Sequence, residues 1–509
     1  MSLLGRVPVH PVLFAAYAVL FLYAANLDEV LPVDVAAPLG RFVLVAAGLL
    51  AVLGLVFRDL RRGAVVASAA VVAYVAFGHV SSAIAGLGID NRAQLVAWAL
   101  LVGTAVAYAI RARASLPRVT AGLNVIAGVL VVAALASILP YEAGRSGPAS
   151  TAGVSPVQAG EGIGRKPDVY FLVFDRYGSA DAIQRRFGLT SDIYGWLEDQ
   201  GFHVPATSHA NYRATDFSLA ATLNMRFLDD LTEEIGTDSN DRTPARALIQ
   251  DHEVGRFLKS EGYRYYQLGS WFGPTHSIAI ADENIALGET NEFESVLRDT
   301  TIQPAIEALL DGAGDGAAPE LTFRERVREG TLFELRQLRR VTSAPGPKFV
   351  FAHFLLPHDP YVFHADGAVI PEAESRATDE ADLYAGQLEY ANRQIRDIVG
   401  YLLSGPESER PVVIIEGDEG PLMCRNVDCV QNTPEYLRIR LGNLVAMYLP
   451  GVDIELPDTF TSVNTFRTVF REYFGADLPP LPDRSYTWPD DEHVYDFRDV
   501  TKEIGGPPG

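Results

Sequence analysis

Residues 411–421 read PVVIIEGDEGP, an apolar run that ends in two adjacent carboxylates, Asp418 and Glu419, before a Gly-Pro turn. An apolar strand that delivers acidic side chains to its end suits a metal site. Two other runs share the design: DVYFLVFDRYG ends its strand at Asp175, and KFVFAHFLLPHDPY carries His353 and His358. In open α/β sheets, ligands bind outside the carboxyl ends of the strands, so these residues can converge on one site despite their separation in sequence.

Phosphoryl chemistry also needs a nucleophile, a cation to stabilise it and the charged oxygens, and a group to protonate what leaves. The best nucleophile is Thr215, in SHANYRATDFSLAATLNM. The run from Asp216 onward reads as a helix, which puts Thr215 at or beside an N-cap, where free N–H groups and the positive helix end favour an alkoxide or phosphate. Taken alone, a threonine at a helix start is more often an ordinary cap, and the neighbouring motifs must raise the nucleophile reading.

The elements that position these residues fall into two parts. The chain has 509 residues, too many for one ordinary domain. Five long apolar stretches, near 9–26, 39–57, 64–86, 94–110 and 119–139, each approach the roughly 20 helical residues that cross a bilayer. Arg58, Arg61 and Arg62 lie between the second and third, and Arg111, Arg113 and Arg118 between the fourth and fifth. Asp28, Glu29, Asp34 and Asp90 mark the alternate loops. The positive-inside rule then puts the amino terminus, with Arg6, in the cytoplasm, and five spans put everything after Tyr141 outside. The first span reads as a retained anchor, since no small-residue cleavage site follows it. The spans contain almost none of the buried charge that marks a transport pathway. The expected organisation is a five-helix transmembrane bundle over 1–142, a flexible Gly/Ser/Ala/Pro-rich linker over 143–166, an extracytoplasmic domain over 167–500 and a tail over 501–509.

In the outer domain, strand and helix alternate. Strands are expected at Asp168–Phe174, YRYYQLG, VVIIE and NLVAMYL, and helices at Asp192–Gln200, His252–Glu261, Asp382–Leu403 and VNTFRTVFREYFG. The pattern predicts an α/β sandwich around a largely parallel sheet. The formal net charge of -22 makes nucleic acid a poor partner, although a bound divalent cation can reverse the sign locally and admit a phosphate-bearing substrate. Arginine far outnumbers lysine, which fits a GC-rich bacterial genome. The two cysteines, Cys424 and Cys429, follow the acidic pair in a loop expected outside the cytoplasm, where a disulfide is favoured over two free thiols.

KPDVYFLVFDRYG, NYRATDFSLAATLNM, FAHFLLPHDPYVF, VVIIEGDEGP and VNTFRTVFREYFG occur in the order used by a known group. The domain resembles the alkaline phosphatase superfamily, and within it the membrane-anchored sulfatase-like branch that includes lipoteichoic acid synthases. The resemblance implies that Asp175 is the acidic ligand of the first strand, Thr215 the nucleophile and a ligand, and Asp418 the aspartate of the usual Asp-His-Gly motif. It implies that His358 contacts the substrate's phosphate or leaving group. In looser alignment, Trp271 and His276 match substrate-contacting positions, although packing for Trp271 and solvent for His276 are the favoured readings. His353 lies in the strand before the His358 loop and reads as a core or supporting histidine and a candidate substrate contact, and Arg176 and Arg213 adjoin the proposed ligands, where they could neutralise a phosphate or form salt bridges.

Where that branch has histidine after the metal aspartate, this chain has Glu419. Three carboxylates and a threonine make a hard, anionic site for a single divalent cation, with manganese preferred and magnesium or calcium possible. The Cys/Ser-x-Pro-x-Arg motif of formylglycine sulfatases is absent from the sequence. The implied protein is a multi-pass bacterial plasma-membrane phosphotransferase or phosphodiesterase acting on an envelope lipid or glycan. The alternative is a degenerate relative that binds such a glycan or a partner without catalysis. Oligomeric state is not encoded in any of these motifs.

Overall fold

The computed structural model describes residues 7–505 apart from 28–29, 31, 85–88, 113–115, 146–156, 289–291, 312–321, 423–429 and 455. Cys424 and Cys429 lie outside the described residues, and so does the middle of the expected linker. The chain divides into two compact units, Met1–Arg145 with Thr290–Phe323, and Ser146–Glu289 with Arg324–Gly509.

The first unit holds five apolar helices: α1 (His10–Ala24), α2 (Pro32–Phe57), α3 (Leu60–Ala83), α4 (Asn91–Arg111) and α5 (Leu116–Gly144). The last four are long and apolar enough to cross a membrane, whereas α1 has 15 residues. At 1.5 Å per residue α1 covers only about 22 Å, short of a hydrocarbon core. Four candidate spans are therefore present, and the expected fifth falls on this shorter helix. Aspartates start α3 and α4 by accepting backbone N–H bonds, Asp59 from Arg61 at 2.9 Å and Asp90 from Ala93 at 2.7 Å. The otherwise open amino end of α1 is closed by Asn124 of α5, whose Oδ1 accepts from the N–H groups of Val9 and His10 at 3.1 and 3.0 Å.

A segment far along the chain completes this unit. The short helices Glu292–Asp299 and Gln303–Asp311 pack Phe293 and Leu297 among Val19, Leu22, Tyr23 and Val35. Their junction enters the hydrogen-bond ladder of α3. Gly78 N–H donates to the Thr300 carbonyl at 2.9 Å, and Ile302 N–H donates to the Tyr74 carbonyl at 2.8 Å. Gly78 is required for this approach, since a Cβ there would lie 2.5 Å from Asp299 O and 2.7 Å from Thr300 Cα. Both are backbone atoms with little freedom to withdraw. Gly78→Ala should undock the junction at a cost of about 1–3 kcal/mol, read as a lower melting temperature and faster tryptic cleavage at Arg298. Gly103→Ala, with nothing within 4 Å of the added carbon, should leave both unchanged.

The second unit is built on a six-stranded sheet. Its strands, in spatial order, are Glu283–Ala286, Arg264–Gly269, Lys348–Phe354, Val169–Phe174, Val412–Glu416 and Val445–Tyr448. All neighbours are parallel except the last pair, which is antiparallel. The α/β class and the largely parallel sheet expected from the alternation are both present. The strand Val169–Phe174 sits at the centre with every residue buried. Its Phe171 stacks on Phe351 at 5.3 Å and meets Phe466 edge-on at 5.0 Å. A fully buried side chain of this size contributes about 1.5–3 kcal/mol, so the central strands are the stable platform of the site.

The expected helices occur as Ile193–Asp199, Glu253–Ser260, Glu380–Leu402 and Thr465–Phe474. The helix Phe323–Val341 is an addition that the sequence reading did not anticipate. Its polar composition, FRERVREGTLFELRQLRRV, hides the apolar stripe Val327, Leu338 and Val341.

Candidate functional site

Asp175 directly follows the central strand Val169–Phe174, and Asp418 stands two residues beyond the neighbouring strand Val412–Glu416. The parallel register brings both to the same edge. His353 lies in the adjoining strand opposite Val173, and Asp175 N–H donates to the Phe354 carbonyl at 2.9 Å. One ligand atom from each of Asp175, His353 and Asp418 lies within 4.8 Å of the others, and His353 Nε2 is 3.7 Å from Asp175 Oδ2. All three residues are almost wholly buried, at 3%, 0% and 1% exposure.

This burial leaves polar atoms that the protein does not satisfy. Among the described residues, Asp175 Oδ1, Asp418 Oδ2 and His353 Nε2 have no hydrogen-bond partner, although buried polar groups are normally paired. Burial, followed by the charge of Asp418, pushes the Asp175 carboxyl well above its usual range. Burial lowers the His353 imidazole to about 4, against the opposing pull of Asp418. His353 Nδ1 meets Thr275 Oγ1 at 2.9 Å, which orients the ring with Nε2 toward the carboxylates. Two buried carboxylates and a neutral imidazole, each with an unused lone pair on the shared space, fit a divalent cation.

The surrounding turns hold the group in position. Arg176 adopts a left-handed backbone, φ 58°, which costs a non-glycine residue of order 1–3 kcal/mol. Its N–H donates to Asp418 Oδ1 at 3.0 Å, and its carbonyl accepts from Tyr384 Oη at 3.1 Å. The strained turn thereby locks the loops of Asp175 and Asp418 together.

Thr215 is the first residue of the helix Thr215–Asn224, with Ala214 as N-cap and no side-chain cap. It is half-buried. One turn further on, Ser218 Oγ donates to the Asp418 carbonyl at 2.6 Å, which ties the helix start to the metal-ligand loop. Asp216 in the same turn pairs with Arg242 at 3.1 Å and Arg246 at 3.4 Å.

Glu419 belongs to a different arrangement. Its Oε1 accepts a short hydrogen bond from Arg440 Nη2 and lies 3.7 Å from Arg176 Nε, while Arg440 Nη1 donates to the Gly420 carbonyl at 2.9 Å. Burial raises the Glu419 carboxyl to about 7, against the lowering effect of Arg440. The residues that cluster are thus Asp175, His353 and Asp418; Glu419 stands beside them with Oε1 on the arginines and Oε2 without a partner among the described residues. His353, read from sequence as a core or supporting histidine, joins the cluster.

His358 faces Trp271 edge-on, with ring centroids 5.9 Å apart. Its Nδ1 makes a short contact to the Asp359 carbonyl, and Arg176 Nη1 donates to Asp359 Oδ1 at 2.6 Å. Burial and then the positive charge of Arg176 hold the His358 imidazole down at about 3. His276 turns Nδ1 to the Ser270 carbonyl at 2.8 Å. Arg213 stacks over Trp488, 4.4 Å to the ring centroid, and reaches Gln431 Oε1 at 3.3 Å and Asp491 Oδ1 at 3.7 Å. Arg440, Ser218 and Thr275 support the site without having been singled out in the sequence; only the proximity of basic Arg440 to an acidic loop offered any signal.

No protein-family model matches the chain, and comparison with curated protein sequences finds no match. Solved structures with a similar chain path exist. The C-terminal periplasmic domain of EptC from Escherichia coli, in complex with zinc, is 12% identical, with 70% of this chain and 100% of that one covered and a TM-score of 0.41. A phosphonate monoester hydrolase of Agrobacterium radiobacter is 14% identical over 67% of this chain and 78% of its own, with a TM-score of 0.38. A protein in the alkaline phosphatase superfamily from Vibrio parahaemolyticus is 10% identical over 69% and 80%, with a TM-score of 0.39. The likeness is one of fold and assigns neither substrate nor reaction.

Two outcomes follow from this geometry. Manganese or zinc should raise the melting temperature of the full-length protein, and Asp175→Asn or His353→Ala should abolish that rise while leaving a folded protein. Separately, Arg440→Leu strands a buried Glu419 and should cost about 3–5 kcal/mol in denaturant unfolding.

Proposed function

We propose that this chain is a membrane-anchored, metal-dependent phosphotransferase or phosphodiesterase that uses Thr215 as nucleophile on a cell-envelope lipid or glycan. The observation that carries the reading is the buried Asp175–His353–Asp418 group with unpaired lone pairs, hydrogen-bonded through Asp418 to the helix that Thr215 begins.

Asp175, His353 and Asp418 would hold one divalent cation, with Thr215 completing the set. When bound, that cation supplies positive charge against the two carboxylates and the negative charge that develops at phosphorus. An imidazole among the ligands moves the preference away from magnesium and calcium, toward manganese or zinc. That revises the manganese-first reading, which assumed an all-oxygen site. Glu419 stays beside the cation as the counter-ion of Arg440 and Arg176, so its presence in place of histidine is compatible with catalysis.

Thr215 Oγ forms a bond to phosphorus as the bond to the leaving oxygen breaks, and the hydroxyl proton of Thr215 passes through water to the departing oxygen, which leaves as an alcohol. The positive end of the helix favours charge on Oγ and on the transferred group. The resulting phospho-threonine is discharged by water or by a lipid or glycan hydroxyl. His358 is neutral here: with Nδ1–H given to the Asp359 carbonyl, its Nε2 offers a lone pair. Such a group accepts a hydrogen bond from a substrate hydroxyl and does not add positive charge at the phosphate. Trp271, against His358, walls that side. His276 and Arg213, engaged elsewhere, serve as peripheral contacts.

The apolar helices suggest membrane anchoring, and the arginines of the 58–62 and 111–118 loops favour a cytoplasmic location for that end of the bundle. We infer an extracytoplasmic site in a bacterial envelope on this basis.

The test is bis(p-nitrophenyl) phosphate turnover by the full-length protein in detergent, with manganese, zinc, magnesium or calcium. Thr215→Ala should lose at least about 1,000-fold in kcat while keeping cation-dependent stabilisation, and His358→Ala about 100-fold. Wild-type turnover that survives Thr215→Ala would sink the threonine mechanism. Cation binding without turnover would favour a transferase selective for its own donor.

A further inference from the structure

The helices Phe323–Val341 and Glu380–Leu402 enclose a groove of about 470 Å³ lined by Arg336, Arg339, Arg340, Tyr390, Gln394 and Tyr401, among others. Its charge runs against that of the molecule. Three arginines face one aspartate, Asp397, among the lining residues, in a chain whose formal net charge is -22. Arg339 is engaged, 2.6 Å from Asp397 Oδ2 and stacked 4.7 Å from the Tyr401 ring centroid. Arg336 and Arg340 are exposed and have no ion pair or hydrogen bond among the described residues. Tyr401 Oη, although buried, also lacks a partner.

The groove lies away from the metal-ligand group. Each helix ends where the chain turns back to the amino end of a central strand, Lys348–Phe354 or Val412–Glu416. Asp175, His353 and Asp418 gather toward the opposite, carboxyl edge. A seven-residue strand spans about 23 Å, so the groove and the cation site are separated by a distance of that order.

We propose that this groove is an accessory binding site for an anionic oligosaccharide. Two unpaired guanidinium groups match carboxylate, phosphate or sulfate substituents with charge-assisted, often bidentate hydrogen bonds. The Gln394 amide supplies a donor and an acceptor for sugar hydroxyls, and the concave shape suits a chain segment better than a flat lipid surface. The site does not depend on the catalytic reading: it would hold a polymer at a point remote from the cation whether or not Thr215 acts on it.

The probe is hexagalacturonate, titrated into the full-length protein in detergent, beside neutral maltohexaose and phosphatidylglycerol vesicles. Binding of hexagalacturonate should weaken at least about tenfold in Arg336→Gln/Arg340→Gln and a few-fold in Gln394→Ala. It should weaken as salt is raised, and maltohexaose should not bind. Melting temperature and bis(p-nitrophenyl) phosphate turnover of the double variant should match the wild type, which separates failure of this site from failure of the catalytic one. The proposal is overturned if hexagalacturonate does not bind below about 1 mM, or if the double variant binds it unchanged. It is equally overturned if the variant loses only vesicle binding, since the groove would then be a lipid contact.

Discussion

Burying two carboxylates side by side is the constraint around which the second unit is organised. Asp175 and Asp418 repel each other in a low-dielectric setting, and each keeps an oxygen that nothing in the protein satisfies. Such a pair persists only when rigid structure holds it. Here the hold comes from the aromatic-packed central strands, from the left-handed turn at Arg176, and from Ser218, which anchors the helix Thr215–Asn224 to the Asp418 carbonyl. The stability of the sheet is what sustains the instability of the site.

The same logic separates the two acidic residues of the Asp-Glu-Gly turn. Asp418 faces the unsatisfied group, whereas Glu419, its immediate neighbour, points into Arg440 and Arg176. One carboxylate is paired with a fixed guanidinium and the other is not. The negative charge that must be compensated at the site is thereby smaller than the count of acidic residues suggests. His353, held neutral by burial, adds no charge to the group.

The first unit solves a different problem. Among the described residues, α1–α5 bury few polar side chains; His10 and Ser68 meet each other and Asn124 closes the start of α1, while Asp59 and Asp90, less buried, cap the helices they begin. Its unexpected member is the Thr290–Phe323 segment, which reaches α3 by backbone hydrogen bonds at a glycine. Short helices of mixed polarity in the middle of an α/β domain sequence carry no mark of membership in a distant helical bundle. Periodicity reports which face of a helix is apolar, and leaves open what will cover it.

The apolar runs, their turn-forming ends and the acidic residues at those ends were legible in the residues alone. So were the α/β class, the apolar helices and the helix start at Thr215, because strand burial, bilayer length and helix capping are local properties. The membership of the ligand group was decided by tertiary structure. KFVFAHF is buried on both faces, so no alternation tells which side His353 takes, and only the parallel register against Val173 brings it to Asp175. The ion pair of Glu419 rests on Arg440, 21 residues away, and the basic groove rests on the arginines of one helix, Phe323–Val341, meeting the tyrosines and Asp397 of another, Glu380–Leu402. Local chemistry is written in order along the chain, whereas the pairing of charges depends on which segments share a dielectric, and folding alone sets that.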